Sequence, residues 1–205
     1  KNEMKLYSKL LKGYNINNII QNKALKHCTT KPSGKMWDVF SNAVNILNEM
    51  KAPWILYSGS LLFYYRDCKI PHDDLDIQLD LDWMVKNNNK LSNYFLENNF
   101  KKKMTFGTIG KMGYEEAWVK DGIKIDIFSG SGETHISGIT IHGKTYPCPH
   151  DHKYIETHNW NGIILNIPGP VEYVLNQWYG NWKIPPKSYQ WDTTPFENGW
   201  CIKNM

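Results

Sequence analysis

The chain predicts one α+β domain, and three patterns carry that reading. Trp37, Phe40, Val44, Leu47 and Met50 recur at three- and four-residue spacing, the repeat of a single buried helix face. From Asp74 to Asp82 polar and apolar residues alternate strictly, which is a strand with one wet and one core face. Between Lys102 and Phe128 three strand-like runs follow one another with only turns between them.

Residues 1–35 read as a mixed-polarity leader with a short helix near Leu6 to Leu11, and 36–205 as the domain. The first domain helix runs from Trp37 to Met50, and Pro53 stops it. Trp54-Ile-Leu-Tyr57 is a short buried strand, Ser58-Gly59-Ser60 a tight turn, and Leu61 to Arg66 a helix opening directly after it. The alternating strand over Asp74–Asp82 is followed by a polar, Asn-rich helix from about Trp83 to Phe95. Strands are expected over Lys102–Thr108, Tyr114–Val119 and Gly122–Phe128, the last two joined by Asp121-Gly122. Gly130 to Gly143 reads as a polar loop with a hairpin. Ile163–Ile167 is a strand that leads through Pro168-Gly169-Pro170 into a helix over Val171–Trp178, and the aromatic tail from Tyr179 is irregular.

Composition bounds the function. The 205 residues are 41% apolar and 21% charged, which excludes a disordered or collagen-like chain. A net charge of +4 is too mild for a duplex-binding domain, so no nucleic-acid partner is expected. The densest basic run, Lys101-Lys102-Lys103, is read as a solvated strand end. The longest mostly apolar run, Trp54 to Tyr65, contains Ser58, Gly59 and Ser60 and falls short of the ~20 residues of a membrane span. No signal peptide is visible, but the chain starts at Lys1 rather than Met, which leaves an upstream anchor open. Cys28, Cys68, Cys148 and Cys201 form no CxxC pair and fit either reduced thiols or disulfides.

The chemistry lies in a few side chains. Gly59-Ser60 joins a buried strand to a helix, where small residues and a helix N-terminus accommodate phosphate, although such a turn is commonly structural. Asp74 and Asp76 share a strand face about 7 Å apart, and two such carboxylates repel unless a cation lies between them. The alternative for that pair is an acidic edge strand. Asp126 sits in Ile123-Lys-Ile-Asp-Ile-Phe128, where a carboxylate needs a partner: a shared metal, or a lysine such as Lys124.

Strand, Gly-Ser turn, helix, Asp-apolar-Asp and a later lone Asp resemble the signature of the DNA polymerase β-type nucleotidyltransferase superfamily. Within it, Trp54-Ile-Leu-Tyr-Ser-Gly-Ser-Leu-Leu62, Tyr65-Arg-Asp-Cys68, Ile70-Pro-His-Asp-Asp-Leu-Asp76 and Lys124-Ile-Asp-Ile-Phe128 look like the LicD family, most like its fukutin branch. Tyr179-Gly-Asn-Trp-Lys-Ile-Pro185 and Trp191-Asp192 fit the same pattern, so the similarity spans about residues 37 to 198. Many relatives carry one more residue between Pro71 and the Asp pair, so no role passes to His72 or Asp73.

The resemblance implies a nucleotidyltransferase fold with a mixed, mostly antiparallel sheet. It implies metal-dependent transfer of a phosphorylated alcohol or sugar, of ribitol-phosphate or phosphocholine type, from a nucleotide-diphosphate donor to a glycan hydroxyl. The donor is expected to be CDP-linked. Asp74, Asp76 and Asp126 would be the catalytic residues and the ligands of two Mg²⁺ or Mn²⁺ ions, with Asp126 also accepting the hydroxyl proton. Gly59, Ser60 and Arg66 would hold donor phosphate, Arg66 alternatively forming an ion pair with a strand Asp. A Golgi-lumenal or membrane-associated placement, with the anchor upstream of this chain, follows from the same resemblance. The competing classes are a non-catalytic glycan- or nucleotide-binding module and a nucleotidyltransferase that moves NMP itself.

Three further groups are weighed. Cys148, His150, His152 and His158 offer a zinc cluster or a polar loop, in a spacing that matches no common finger. Glu115 and Glu116 are strand acids that either shape the acceptor side or lie on the surface. Trp178, Trp182 and Trp191 either stack on a ligand or pin the tail to the core.

Overall fold

A computed structural model describes residues 28, 32–71, 74–111, 113–130, 136–141, 144–149, 152–184 and 201. The short helix expected near Leu6, and His72, Asp73, His150 and Trp191, lie outside the described residues.

Helix α1 (Lys35–Glu49) buries Val39, Phe40, Ala43, Val44 and Leu47, the face its spacing predicts. It ends before Pro53, where Lys51 turns the chain at φ 51°. Strand β1 (Trp54–Leu56) is buried throughout, and α2 (Ser58–Asp67) opens at Ser58, so Gly59-Ser60 is the first turn of the helix rather than a separate turn.

Strand β2 (Asp74–Asp80) stops two residues before the alternation does. The Asp80 carboxylate accepts the Trp83 backbone N–H at 2.8 Å and caps α3 (Leu81–Glu97), so Asp82 falls in the first helical turn. An N-cap side chain satisfies a donor that the helix leaves orphaned, and that ends the strand.

Strands β3 (Lys101–Phe106), β4 (Glu115–Lys120) and β5 (Ile123–Gly130) follow as expected, each shifted by a residue or two. The five strands form one sheet in the order β1-β2-β5-β4-β3. Only β2 and β5 pair in parallel; every other pairing in that sheet is antiparallel. The α+β class and the mixed, mostly antiparallel sheet are thus observed.

Beyond β5 the chain holds more strand than expected. Strands β6 (Ile136–Ile141) and β7 (Lys144–Pro149) pair as the anticipated hairpin. Strand β8 (Tyr154–Trp160), which polar Glu156, His158 and Asn159 conceal in the sequence, pairs with β9 (Ile163–Gly169) before helix α4 (Val171–Tyr179). Leu75, Ile77, Leu79, Trp118, Ile125 and Ile127, on one face of the central sheet, are fully buried and form its core side. Asp74, Asp76 and Asp126 are on the other face.

Disulfides Cys28–Cys68 and Cys148–Cys201 account for all four cysteines. Among the described residues no helix is long and apolar enough to cross a membrane.

Candidate active site

The parallel pairing of β2 and β5 builds the site. It places Asp76 directly beside Asp126 and Asp74 beside Lys124, and paired residues project from the same face. One carboxylate oxygen from each of Asp74, Asp76 and Asp126 lies within 4.8 Å of the others.

The start of α2 clasps Asp76. The Gly59 backbone N–H donates to Asp76 Oδ2 at 3.0 Å, and the Asp76 N–H donates to Ser60 Oγ at 2.7 Å. The Tyr57 N–H donates to the Asp76 carbonyl at 3.1 Å. A Cβ at residue 59 would stand 3.2 Å from Asp76 Oδ2, so glycine permits this approach. Ser58, at φ 45°, bonds Tyr179 Oη at 3.1 Å and ties the end of α4 to the same turn.

Lys124 is the cation of this cluster. Its Nζ lies 2.7 Å from Asp126 Oδ2 and 3.0 Å from Asp74 Oδ2. Burial alone would lower the pKa of the ammonium, but the bonds to Asp126 and Asp74 hold it above its ordinary value. One ammonium is too little. Burial, followed by the charges of Asp74 and Asp126, drives the Asp76 pKa well above its ordinary value, with Gly59 N–H and Lys124 opposing. Burial also raises Asp126 against the pull of Lys124, and its buried Oδ1 has no hydrogen-bond partner among the described residues. Three carboxylates with excess negative charge and an orphaned acceptor are a donor set that fits a hard divalent cation. The sequence places Lys124 beside Asp126 on β5, but its bridge to Asp74 depends on the pairing of β2 with β5.

The two neighbouring glutamates part company across β4. Glu115 lies on the aspartate face, where burial and then the charge of Asp126 push its pKa up to about 7. Glu116 points through the sheet and is fully buried. It accepts from Tyr114 Oη at 2.6 Å, Asn88 Nδ2 at 2.7 Å, Lys102 Nζ at 2.8 Å and Trp118 Nε1 at 2.9 Å. Burial works against its charge, but the bonds from Lys102, Tyr114 and Asn88 win and hold its pKa below the usual value. Glu116 therefore cannot serve an acceptor on the open face, and Lys102 of the basic run has a structural partner.

Arg66 stands in the last turn of α2, at the opposite end from Gly59. Its Nε and Nη2 donate to Asp67 at 3.0 and 2.7 Å, so its ion pair is with a helix neighbour rather than a strand Asp. The zinc alternative is corrected: Cys148 is bonded to Cys201, and His158 is buried between Tyr64 Oη at 3.0 Å and Glu156 Oε2 at 3.1 Å. Trp178 and Trp182 are buried, their rings 5.0 Å from Tyr57 and 5.6 Å from Tyr65, so both pin the C-terminal part to the core.

With this geometry the class is that of a carboxylate-bearing α+β domain similar to transferases. The chain is 27% and 26% identical, over 161 residues, to Ribitol-5-phosphate transferase FKTN of Macaca fascicularis and of Homo sapiens. The match takes in 75% of this chain and 34% of each relative, so the chain spans about a third of the length of the curated relatives it matches. The resemblance to the fukutin branch is thus found over most of the chain. No family model matches it. Among solved structures, a Thermotoga maritima protein assigned as a nucleotidyltransferase is 22% identical with a TM-score of 0.49, covering 73% of this chain and 86% of that one. The antibiotic-resistance factor ANT(2'')-Ia is 12% identical with a TM-score of 0.45, covering 78% of each chain.

Proposed function

We propose that this domain transfers a phosphorylated alcohol or sugar from a CDP-linked donor to a glycan hydroxyl, with Asp74, Asp76 and Asp126 holding Mg²⁺ or Mn²⁺. The observation that supports it most is the meeting of the three aspartates within 4.8 Å, short of compensating charge. A bound divalent pair would supply charge neutralisation at the phosphates and make the attacking hydroxyl more acidic. The chain's own residues do the rest. Gly59 and Ser60 orient Asp76 from the helix N-terminus and border the donor phosphates. Asp126, whose carboxylate faces Asp74 and Asp76, accepts the hydroxyl proton. Arg66, in the last turn of the same helix and paired with Asp67, would reach donor phosphate by exchanging that pair.

The two disulfides support an oxidising compartment, in keeping with a Golgi-lumenal placement on an anchor outside this chain. Calorimetric titration of CDP-ribitol, CDP-choline and GDP-mannose with Mg²⁺ or Mn²⁺ tests the reading, with Asp74→Ala as the control. Binding of a CDP-linked donor that Asp74→Ala abolishes is expected, together with released CMP on turnover. Release of ribitol 5-phosphate or phosphocholine, with the nucleoside monophosphate left on the acceptor, points instead to transfer of NMP. The absence of nucleotide binding, or an Asp74→Ala variant that binds and turns over like the parent, refutes it.

A further inference from the structure

The face that carries the three aspartates continues across β4 and β3 to the edge of the sheet. Pairing puts Ala117 beside Asp126 and Met104 beside Ala117; two residues along, Glu115 is beside Phe128 and Phe106 beside Glu115. Met104 and Phe106 therefore share the aspartate face. They are 41% and 45% exposed, although large apolar side chains are otherwise mostly buried in this core. The Glu115 side chain makes no hydrogen bond or ion pair among the described residues, in contrast to the four bonds of Glu116 behind it. Ala117, the smallest side chain on this stretch of β4, is buried beside Asp126, so the exposed part of this face lies at Phe106 and Met104 on β3.

Direction comes from the reaction. Gly59 and Ser60 approach the aspartates from the β1 and α2 side, while β4 and β3 lie on the other side of Asp126. In-line displacement sets the leaving and attacking oxygens on opposite sides of phosphorus. With donor phosphates at α2, the attacking hydroxyl arrives over β4 and β3. A sugar ring matches what it meets there: an apolar C–H face for an exposed aromatic ring, and hydroxyl donors for an unpaired carboxylate.

We propose that Glu115, Phe106 and Met104 form the acceptor subsite, taking a neutral sugar ring whose C–H face lies on Phe106 and Met104 and whose hydroxyl donates to Glu115. This rests on the phosphotransfer reading above. In the transfer, the acceptor oxygen bonds to the donor phosphorus and the bond from that phosphorus to the nucleoside monophosphate breaks. The monophosphate leaves with the electron pair, and the hydroxyl proton passes to the Asp126 carboxylate.

Saturation-transfer NMR tests this with methyl glycosides of glucose, galactose, mannose, xylose and the common N-acetylhexosamines, using the parent, Glu115→Gln, Phe106→Ala and Phe106→Leu. Calorimetry with CDP-ribitol and Mn²⁺ runs in parallel. At least one glycoside is expected to bind the parent. At pH 8, where Glu115 is mostly ionised, Glu115→Gln should weaken it about 5- to 12-fold, the difference between a hydrogen bond to a charged and to a neutral acceptor. Phe106→Ala should weaken it about 2- to 12-fold, and Phe106→Leu, which keeps apolar area without the ring, by a similar factor. Nucleotide and Mn²⁺ affinities should stay within about twofold in both Phe106 variants, which change no charge, whereas Glu115→Gln removes a charge coupled to Asp126 and is not used as that control. Glycoside binding that is absent from the parent, or unchanged in Glu115→Gln and both Phe106 variants, overturns the subsite. A parent that binds glycosides in the expected pattern but neither CDP-ribitol nor Mn²⁺ sustains the sugar site and removes the phosphotransfer reading instead.

Discussion

Replacing Lys124 with methionine separates the two states of the aspartate cluster. The ammonium lies 2.7 Å from Asp126 Oδ2 and 3.0 Å from Asp74 Oδ2. Unit charges with centres near 4 Å interact by about 4 kcal/mol at an effective dielectric constant near 20. The lysine side chain is 34% exposed, and solvent screening with side-chain ordering leaves roughly 2 kcal/mol. A divalent ion held by the three aspartates, as proposed above, would use the same oxygens and displace that pair. The loss therefore falls on the metal-free state alone, and linkage returns it as tighter metal binding. Lys124→Met should lose about 2 kcal/mol of unfolding free energy in EDTA, and should bind Mn²⁺ about thirtyfold more tightly. Urea denaturation measures the first; titration of free Mn²⁺ by electron paramagnetic resonance measures the second. Unchanged or weaker Mn²⁺ binding by the folded variant would show that Lys124 does not compete for these oxygens.

Three other expectations follow from the same contacts. Glu115 titrates near pH 7 in the fold against an ordinary value of 4.5, so the folded state holds the extra proton between those limits. Metal-free stability should therefore fall as pH rises from 4.5 to 7, by up to about 3 kcal/mol from this group, and Glu115→Gln should flatten that part of a urea-midpoint profile. Glu116→Gln puts an amide N–H among four donors and should cost about 3 kcal/mol by the same measurement, while a cost under 0.5 kcal/mol would show the network to be slack. The Cys148–Cys201 link spans 53 residues, for which the chain-entropy estimate is about 4 kcal/mol; Cys201→Ser should lower the unfolding free energy toward that extent, and reductant should no longer affect this link.

Local periodicity made most elements legible. The Trp37–Met50 spacing marks α1, the Asp74–Asp82 alternation marks β2, and the Asp121-Gly122 turn marks the β4–β5 hairpin. Where it failed, a side chain acted at a distance from its own strand. Asp80 continues the β2 pattern but caps α3, and the polar residues of β8 hide a strand whose His158 is satisfied by Tyr64 from α2. Cysteine spacing left pairing open, since β7 and residue 201 meet only once the chain has returned across the domain.

The sequence by itself determined which residues carry charge on which face: alternation puts Asp74 and Asp76 on one side of β2, and Lys124 and Asp126 on one side of β5. Tertiary structure decided what those faces meet. The parallel pairing of β2 with β5 sets Asp76 beside Asp126 and drops Lys124 between Asp126 and Asp74. The antiparallel pairing of β4 sends Glu115 to that same face and Glu116 to the core. A two-residue repeat assigns each side chain to a side of its own strand, but only the hydrogen-bonded register between strands determines which sides are shared.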